Sequence, residues 1–155
     1  MKRIILLLFI IGVIATSAFL FYNFKENKEL KEYSKTIYVK DLNPKSFIEL
    51  CKKRYNKTPI NSVTMAGEFP ENWVKPNDVN YLISLMYSKE KCCGYMNIFS
   101  SHISKEDAEI GGFALIFLDS YISKTKINLG LNSYPKTSKE SIRKIENWYR
   151  KTKKI

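Results

Sequence analysis

The sequence predicts a mainly helical fold: a small helical bundle, or a HEAT-like set of helix pairs, behind an N-terminal apolar helix. Three observations predict it. The chain opens on a long uncharged apolar run, four later segments repeat apolar residues at helical spacing, and helix-start residues stand in front of several of them. The 155 residues suffice for one domain with a modest core. A hydrophobic fraction of 45% sits in the ordinary globular range and argues against disorder over the whole chain.

From Ile4 to Tyr22 the chain reads IILLLFIIGVIATSAFLFY, without a charged residue. A run of this length matches the hydrocarbon core of a bilayer, where only a helix satisfies its own backbone. Phe19, Phe21, Tyr22 and Phe24 form an aromatic cluster suited to an interface. Ile4–Tyr22 is therefore expected to be a transmembrane segment. Ala15-Thr16-Ser17 offers a signal-peptidase pattern, so a secreted or periplasmic product after cleavage is the alternative. Lys2 and Arg3 before the run favour the N-terminus inside, a single pass through the cell membrane and the domain outside the cytoplasm. The expected organisation is a signal anchor or signal peptide over 1–24, a charged juxtamembrane linker over 25–42 and a single helical domain over 43–155.

Residues 25–35 read KENKELKEYSK, with Glu and Lys at i, i+3 and i+4, as in a solvated helix. Ile37, Tyr38 and Val39 have brief β character within extended linker. Asn43 as N-cap and Pro44 in the first turn open the first core helix, with Phe47, Leu50, Cys51 and Arg54 on one face. Residues 56–74 read as a loop pinned by Val63, Met65, Phe69, Trp73 and Val74. Pro76 and Asp78 open a second helix with Val79, Leu82, Ile83 and Met86 at helical spacing, and Tyr95, Met96, Ile98 and Phe99 suggest a short helical turn.

Ser104, Glu106, Asp107 and Glu109 read as the cap and acidic first turns of a third helix. Its body, Gly111 to Ile122, is apolar all round and should be the buried centre of the fold. Gly111 and Gly112 weaken a helix, so close approach by a neighbouring helix is their expected compensation. A loop over 127–136 leads to a last helix opened by a Thr137–Glu140 capping box, with Ile142, Ile145, Trp148 and Tyr149 inward. The stretches WVKPNDVNYLISLMYS (Trp73 to Ser88) and GGFALIFLDSY (Gly111 to Tyr121) are similar to small exported helical proteins of bacteria. This resemblance covers about a third of the chain. It rests on packing motifs, so it implies a fold and no activity.

The formal charge is +11, of which Lys2 and Arg3 supply two, leaving the rest of the chain at +9. Such a balance suits an anionic envelope polymer, an acidic protein or a lipid surface. The basic residues are mostly Lys, a poor bidentate reader of bases and phosphates, and the aromatics beside them have core spacing, so nucleic acid is not an expected partner. Membrane lipid is expected to meet the N-terminal helix. The sequence does not fix an oligomeric state.

Three cysteines, Cys51, Cys92 and Cys93, match no metal spacing. Two readings stay open: a disulfide from Cys51 to Cys92 or Cys93 in an oxidising compartment, or three small buried side chains. His102 is the one histidine. A nucleophile–base pair of Cys92 or Cys93 with His102 lacks an orienting third group. Glu68 and Glu71 beside Trp73 offer a paired-carboxylate alternative. No cofactor motif is present. The expectation is a non-catalytic, envelope-located domain that binds a macromolecule, in one version an immunity-like protein that neutralises a toxin. A small envelope enzyme using the Cys/His or Glu pair is the rival.

Overall fold

The computed structural model describes residues 11–23, 35–57, 60–102 and 104–153. The chain divides into two units, Met1–Lys35 and Thr36–Ile155. In the first, a helix α1 covers residues 11–23 and its side chains are almost all exposed. Thr16 and Ser17 hydroxyls donate back to the carbonyls of Gly12 and Val13 within it.

This helix corrects the membrane expectation. Among the described residues no helix is long and apolar enough to cross a membrane. The transmembrane segment Ile4–Tyr22, and with it the single-pass placement in the cell membrane, is therefore not supported. Residues 4–10 of that segment lie outside the described residues.

The second unit corrects the fold class: it is mixed α/β rather than mainly α. In chain order it holds β1 (Ile37–Tyr38), α2 (Pro44–Arg54), β2 (Ser62–Ala66), α3 (Val79–Leu85), β3 (Lys91–Cys92), β4 (Gly94–Asn97), β5 (Ala108–Glu109), α4 (Ile110–Ser123), β6 (Asn132–Ser133) and α5 (Lys139–Lys153). Four strands form one sheet in the order β1-β2-β4-β6, with β1, β2 and β4 parallel and β6 antiparallel to β4. A second sheet pairs β3 with β5, Lys91 opposite Glu109 and Cys92 opposite Ala108. The first strand falls in the stretch read above as linker.

The missed strands have a common physical cause. β2 is SVTMA, buried at four of its five positions, so it lacks the alternation that marks a half-exposed strand. β4 pairs with it in register, Val63 opposite Tyr95 and Thr64 opposite Met96. Val63, Met65 and Tyr95 join the core, while Thr64 and Met96 lie half-buried on the other face. Gly94 opens β4 because the Tyr134 ring lies over it, within 2.4 Å of where a Cβ would stand.

Local signals held where helices begin cleanly. Asn43 caps α2 as expected: its Oδ1 accepts from the Ser46 N–H at 2.9 Å and its own N–H donates to Ser46 Oγ at 2.9 Å. Phe47, Ile48 and Cys51 are buried, and Arg54 stands at the basic end. α3 follows a 3-10 turn at Pro76–Asp78 and buries Val79 and Leu82. The third expected helix starts later than its acidic cap implied. Ser104 merely accepts from the Glu106 N–H, and Ala108–Glu109 is strand.

Helix α4 runs Ile110–Ser123 and is buried along most of its length. No side chain caps it. Carbonyls do so instead: Ile110 N–H donates to Glu90 and Gly111 N–H to Ser88, at 3.0 and 2.9 Å. The glycine pair has the compensation expected in kind, but the close neighbours are main chain and the Thr137 methyl rather than a helix face. A Cβ on Gly111 would meet the Ser88 carbonyl at 2.6 Å, and one on Gly112 the Pro135 carbonyl at 2.5 Å. α5 is capped by Ser138, not Thr137; the Ser138 Oγ accepts from the Ser141 N–H, while Glu109 holds Thr137.

The core is aromatic at its centre. The Phe47 ring lies 5.1 Å from Phe113 and 5.3 Å from Phe117, with Phe69 and Trp73 about 6 Å away. Trp73 closes on Phe69 at 4.9 Å and Phe117 at 5.0 Å, and its indole N–H donates to the Leu42 carbonyl at 2.7 Å. Edge-to-face pairs of this kind add about 0.5–1.5 kcal/mol each beyond burial.

Two stability outcomes follow from this packing. Phe47→Ala should cost about 3–5 kcal/mol, because the cavity lies among rings that cannot collapse onto it. Gly112→Ala should cost about 1–3 kcal/mol, because carbonyl and helix must part to admit one methyl group. Urea denaturation of each variant measures both; a Gly112→Ala protein as stable as the parent would contradict the close contact.

Candidate functional site

The parallel strands β1, β2 and β4 all end at one edge of the larger sheet. In open sheets with parallel strands, this carboxyl edge is where ligands are usually received. A cleft of about 500 Å³ lies there. Its first rim is the chain leaving β2, Gly67 to Phe69, and its second is the segment Lys126 to Leu131. Tyr95 and Asn97 of β4 form the wall between them.

Each wall residue has a structural reason for its place. Phe69 is held at 6.2 Å from both Tyr95 and Phe117, so the apolar wall is an extension of the core. Tyr95 is 3% exposed, and its hydroxyl accepts from the Asn97 amide at 3.1 Å. Asn97 in turn accepts from the Phe99 N–H at 3.0 Å, which turns the chain sharply after β4. Gly67 and Gly130 adopt φ of +82° and +64°, where a side chain would be strained. Asn128 steadies the second rim by accepting from the Gly130 N–H at 2.9 Å.

One ion pair bridges the two rims: the Lys126 ammonium donates to the Glu68 carboxylate. That hydrogen bond, with the charge behind it, holds the Glu68 carboxyl below the usual carboxylate range. Glu68 remains ionised at neutral pH. It is a charged rim group rather than a proton donor.

Three apolar side chains stand at the same edge in water. Phe99 is 81% exposed, Leu131 56% and Ile98 45%. They are neighbours through the backbone: the Asn97 N–H donates to the Leu131 carbonyl at 2.8 Å and the Ile98 N–H to the Met65 carbonyl at 3.0 Å. Tyr38, at the end of β1, adds a half-exposed ring with Lys40 over it.

The candidate catalytic groups of the sequence are not assembled. Cys51, Cys92 and Cys93 are free and fully buried. Burial pushes the Cys92 thiol up to about 12 and the Cys93 thiol up to about 11, and it raises Cys51 well above its ordinary value. These are the opposite of the shift that activates a thiolate. The cysteines do meet one another: the Cys93 N–H donates to the Cys51 carbonyl at 3.1 Å.

His102 lies in an exposed loop, where Ser100 Oγ accepts from its N–H at 3.2 Å. Ser100 Oγ also donates to Asn132 Oδ1 at 3.0 Å, so the serine ties this loop to β6. The Glu68–Glu71 pair is divided. Glu68 belongs to the carboxyl-edge cleft, whereas Glu71 lines a second cavity of about 520 Å³ with Lys75, Tyr121 and Lys124. Lys124 there caps α4 in a left-handed conformation and lies 4.3 Å over the Tyr121 ring. Among the described residues no group of His, Cys, Asp and Glu is arranged to hold a metal ion.

Sequence reasoning missed Tyr95, Asn97, Phe99, Lys126 and Leu131 as members of one site. The sequence suggests a short helical turn at Tyr95, Met96, Ile98 and Phe99, whereas Gly94–Asn97 is strand β4 and Phe99 stands in the turn that Asn97 makes after it.

The opposite end of the sheet is built for anchorage. Asp107 accepts from Asn61 at 2.9 Å and from Lys91 at 2.8 Å. Glu109 accepts from the Thr137 N–H and hydroxyl at 2.8 and 2.6 Å. These bonds lower both carboxyls from their usual values, with Lys91 the main cause for Asp107 and Thr137 for Glu109.

No family model, curated protein or solved structure matches the chain. The resemblance to small exported helical proteins of bacteria gains no support from these comparisons.

Two measurements check the electrostatics. Because Asp107 and Glu109 titrate lower when folded, their stabilisation is full above about pH 4 to 4.5 and is lost as pH falls through their folded values. The stability gap between the parent and Asp107→Asn should therefore narrow between pH 6 and pH 3; a constant gap would contradict it. In a maleimide assay at pH 8, all three thiols should stay unmodified in the native protein and react in denaturant. Labelling of Cys92 or Cys93 in the folded state would contradict their burial.

Proposed function

We propose that the Thr36–Ile155 domain is a non-catalytic binding module, with the carboxyl edge of its four-stranded sheet as the recognition surface and an acidic protein as partner. One observation carries the reading: Phe99, with Ile98 and Leu131, holds apolar surface in water beside a formed cleft. Phe99 has no core role there. Its exposure costs the free protein solubility and returns nothing to stability. Aromatic anchors beside a pocket are the usual centre of a binding surface.

The charge balance supports the nature of the partner. Thr36–Ile155 holds 20 Lys and Arg against 12 Asp and Glu, a net +8, with Lys40 at this edge, so an acidic chain is attracted to the domain over long range. The buried, protonated thiols and the ionised Glu68 favour binding over the rival enzyme reading.

The test is crosslinking in cells of origin, identification of the captured protein, and titration of that protein against edge variants. Phe99→Ala and Leu131→Ala should each raise Kd by about tenfold or more, while Tyr87→Ala, an exposed ring on another surface, leaves it unchanged. Affinity should also fall steeply with salt. If folded Phe99→Ala and Leu131→Ala bind as tightly as the parent, the edge is not the recognition surface.

A further inference from the structure

We propose that the carboxyl-edge cleft receives a carboxylate carried on an aromatic or branched aliphatic body, with Lys126 as the anion's partner and Glu68 as a built-in occupant that the ligand displaces. The inference deepens the binding-module reading and rests on it for the natural ligand, the C-terminal residue of the partner chain. A free small acid carries the same chemistry and is an outcome of the test.

The cleft has the two halves such a ligand needs. Its inner part is apolar, built from Phe69, Tyr95, Ile127 and Leu129, and its volume of about 500 Å³ accommodates a ring. These walls are formed before any ligand arrives, because Phe69 and Tyr95 are fixed against each other and Phe69 against Phe117. The mouth is charged. Lys126 reaches across it from the second rim to Glu68 on the first.

Glu68 has the features of a stand-in. Its side chain is 83% exposed, so its pairing with Lys126 contributes little to stability. It follows Gly67, whose left-handed φ sets the rim, and a Cβ at Gly67 or Gly130 would meet nothing within 4 Å. The space beside both rims is open. A carboxylate that also places an apolar body against Phe69 and Leu129 gains the burial that Glu68 does not, and so replaces it at the ammonium. A neutral ligand gains the burial but leaves the ion pair in place.

The experiment uses the full chain labelled with ¹⁵N and follows the amides of Gly67, Asn97, Asn128 and Gly130. The probes are 3-phenylpropionate, its amide, and a short peptide ending in Phe as either free acid or amide. The acids should shift these amides at millimolar concentration and bind about two- to fivefold more tightly than the matching amides. Lys126→Met should erase that preference, and Lys126→Arg should retain it. Glu68→Gln should tighten the acids by a similar factor, a gain that misfolding cannot mimic. Tighter binding of the peptide acid than of phenylpropionate supports a chain end as ligand, and the reverse order supports a free acid.

Equal binding of acids and amides, or no shift at the cleft amides with any probe, would overturn the proposal. Probe binding is read without a partner protein, and the module reading is judged from partner capture by the Phe99 and Leu131 variants. Either can therefore fail alone.

Discussion

The ring cluster around Phe47 is the contact on which the rest of the domain depends. Phe47 comes from α2, Phe113 and Phe117 from α4, and Phe69 and Trp73 from the chain after β2. One set of edge-to-face contacts thus joins two helices and a connecting segment that have little regular hydrogen bonding in common. Together with the bond from the Trp73 indole N–H to the Leu42 carbonyl, it holds the stretch from Phe69 to Trp73 against the core. Because Phe69 is also a wall of the cleft, the shape of the recognition edge is inherited from the core.

The two ends of the sheet divide the work. At the amino end, Asp107, Glu109, Asn61 and Tyr134 make specific polar bonds that tie loops to strands. Their carboxyls are stabilised in the charged form, so that end is firmest at neutral pH. At the carboxyl end, the rims rest on left-handed glycines and one exposed ion pair, with apolar side chains held in solvent. Rigid support behind an adaptable rim is the arrangement that suits selective binding.

Helix starts were legible because their signals are local. Asn43-Pro44 and Pro76 mark helix openings within a few residues, and the structure keeps both. Strands were illegible because theirs are not. Ser62–Ala66 is buried from both sides by partners far along the chain, and Tyr95–Met96 takes its conformation from pairing with Val63 and Thr64. The acids before α4 misled for a related reason: Asp107 and Glu109 serve distant partners, and carbonyls of Ser88 and Glu90 cap the helix. The apolar run at Ile4–Tyr22 is a composition signal, and among the described residues no helix is long and apolar enough to cross a membrane. The cleft itself was invisible, since Glu68, Tyr95 and Lys126 lie far apart in the chain and are brought together only by the fold.

The glycine pair at the head of α4 has an effect beyond stability. Gly111 and Gly112 lie against the main chain of Ser88 and Pro135, with the Thr137 methyl beside Gly111, so the helix is seated largely by atoms that every amino acid shares. Its axial position thus depends little on which side chains its neighbours carry, Thr137 apart. The rim segments at 67–69 and 126–131 can then be exchanged wholesale, as interchangeable heads on a common shaft, and variants of this scaffold should diverge in what they hold long before they diverge in how they stand.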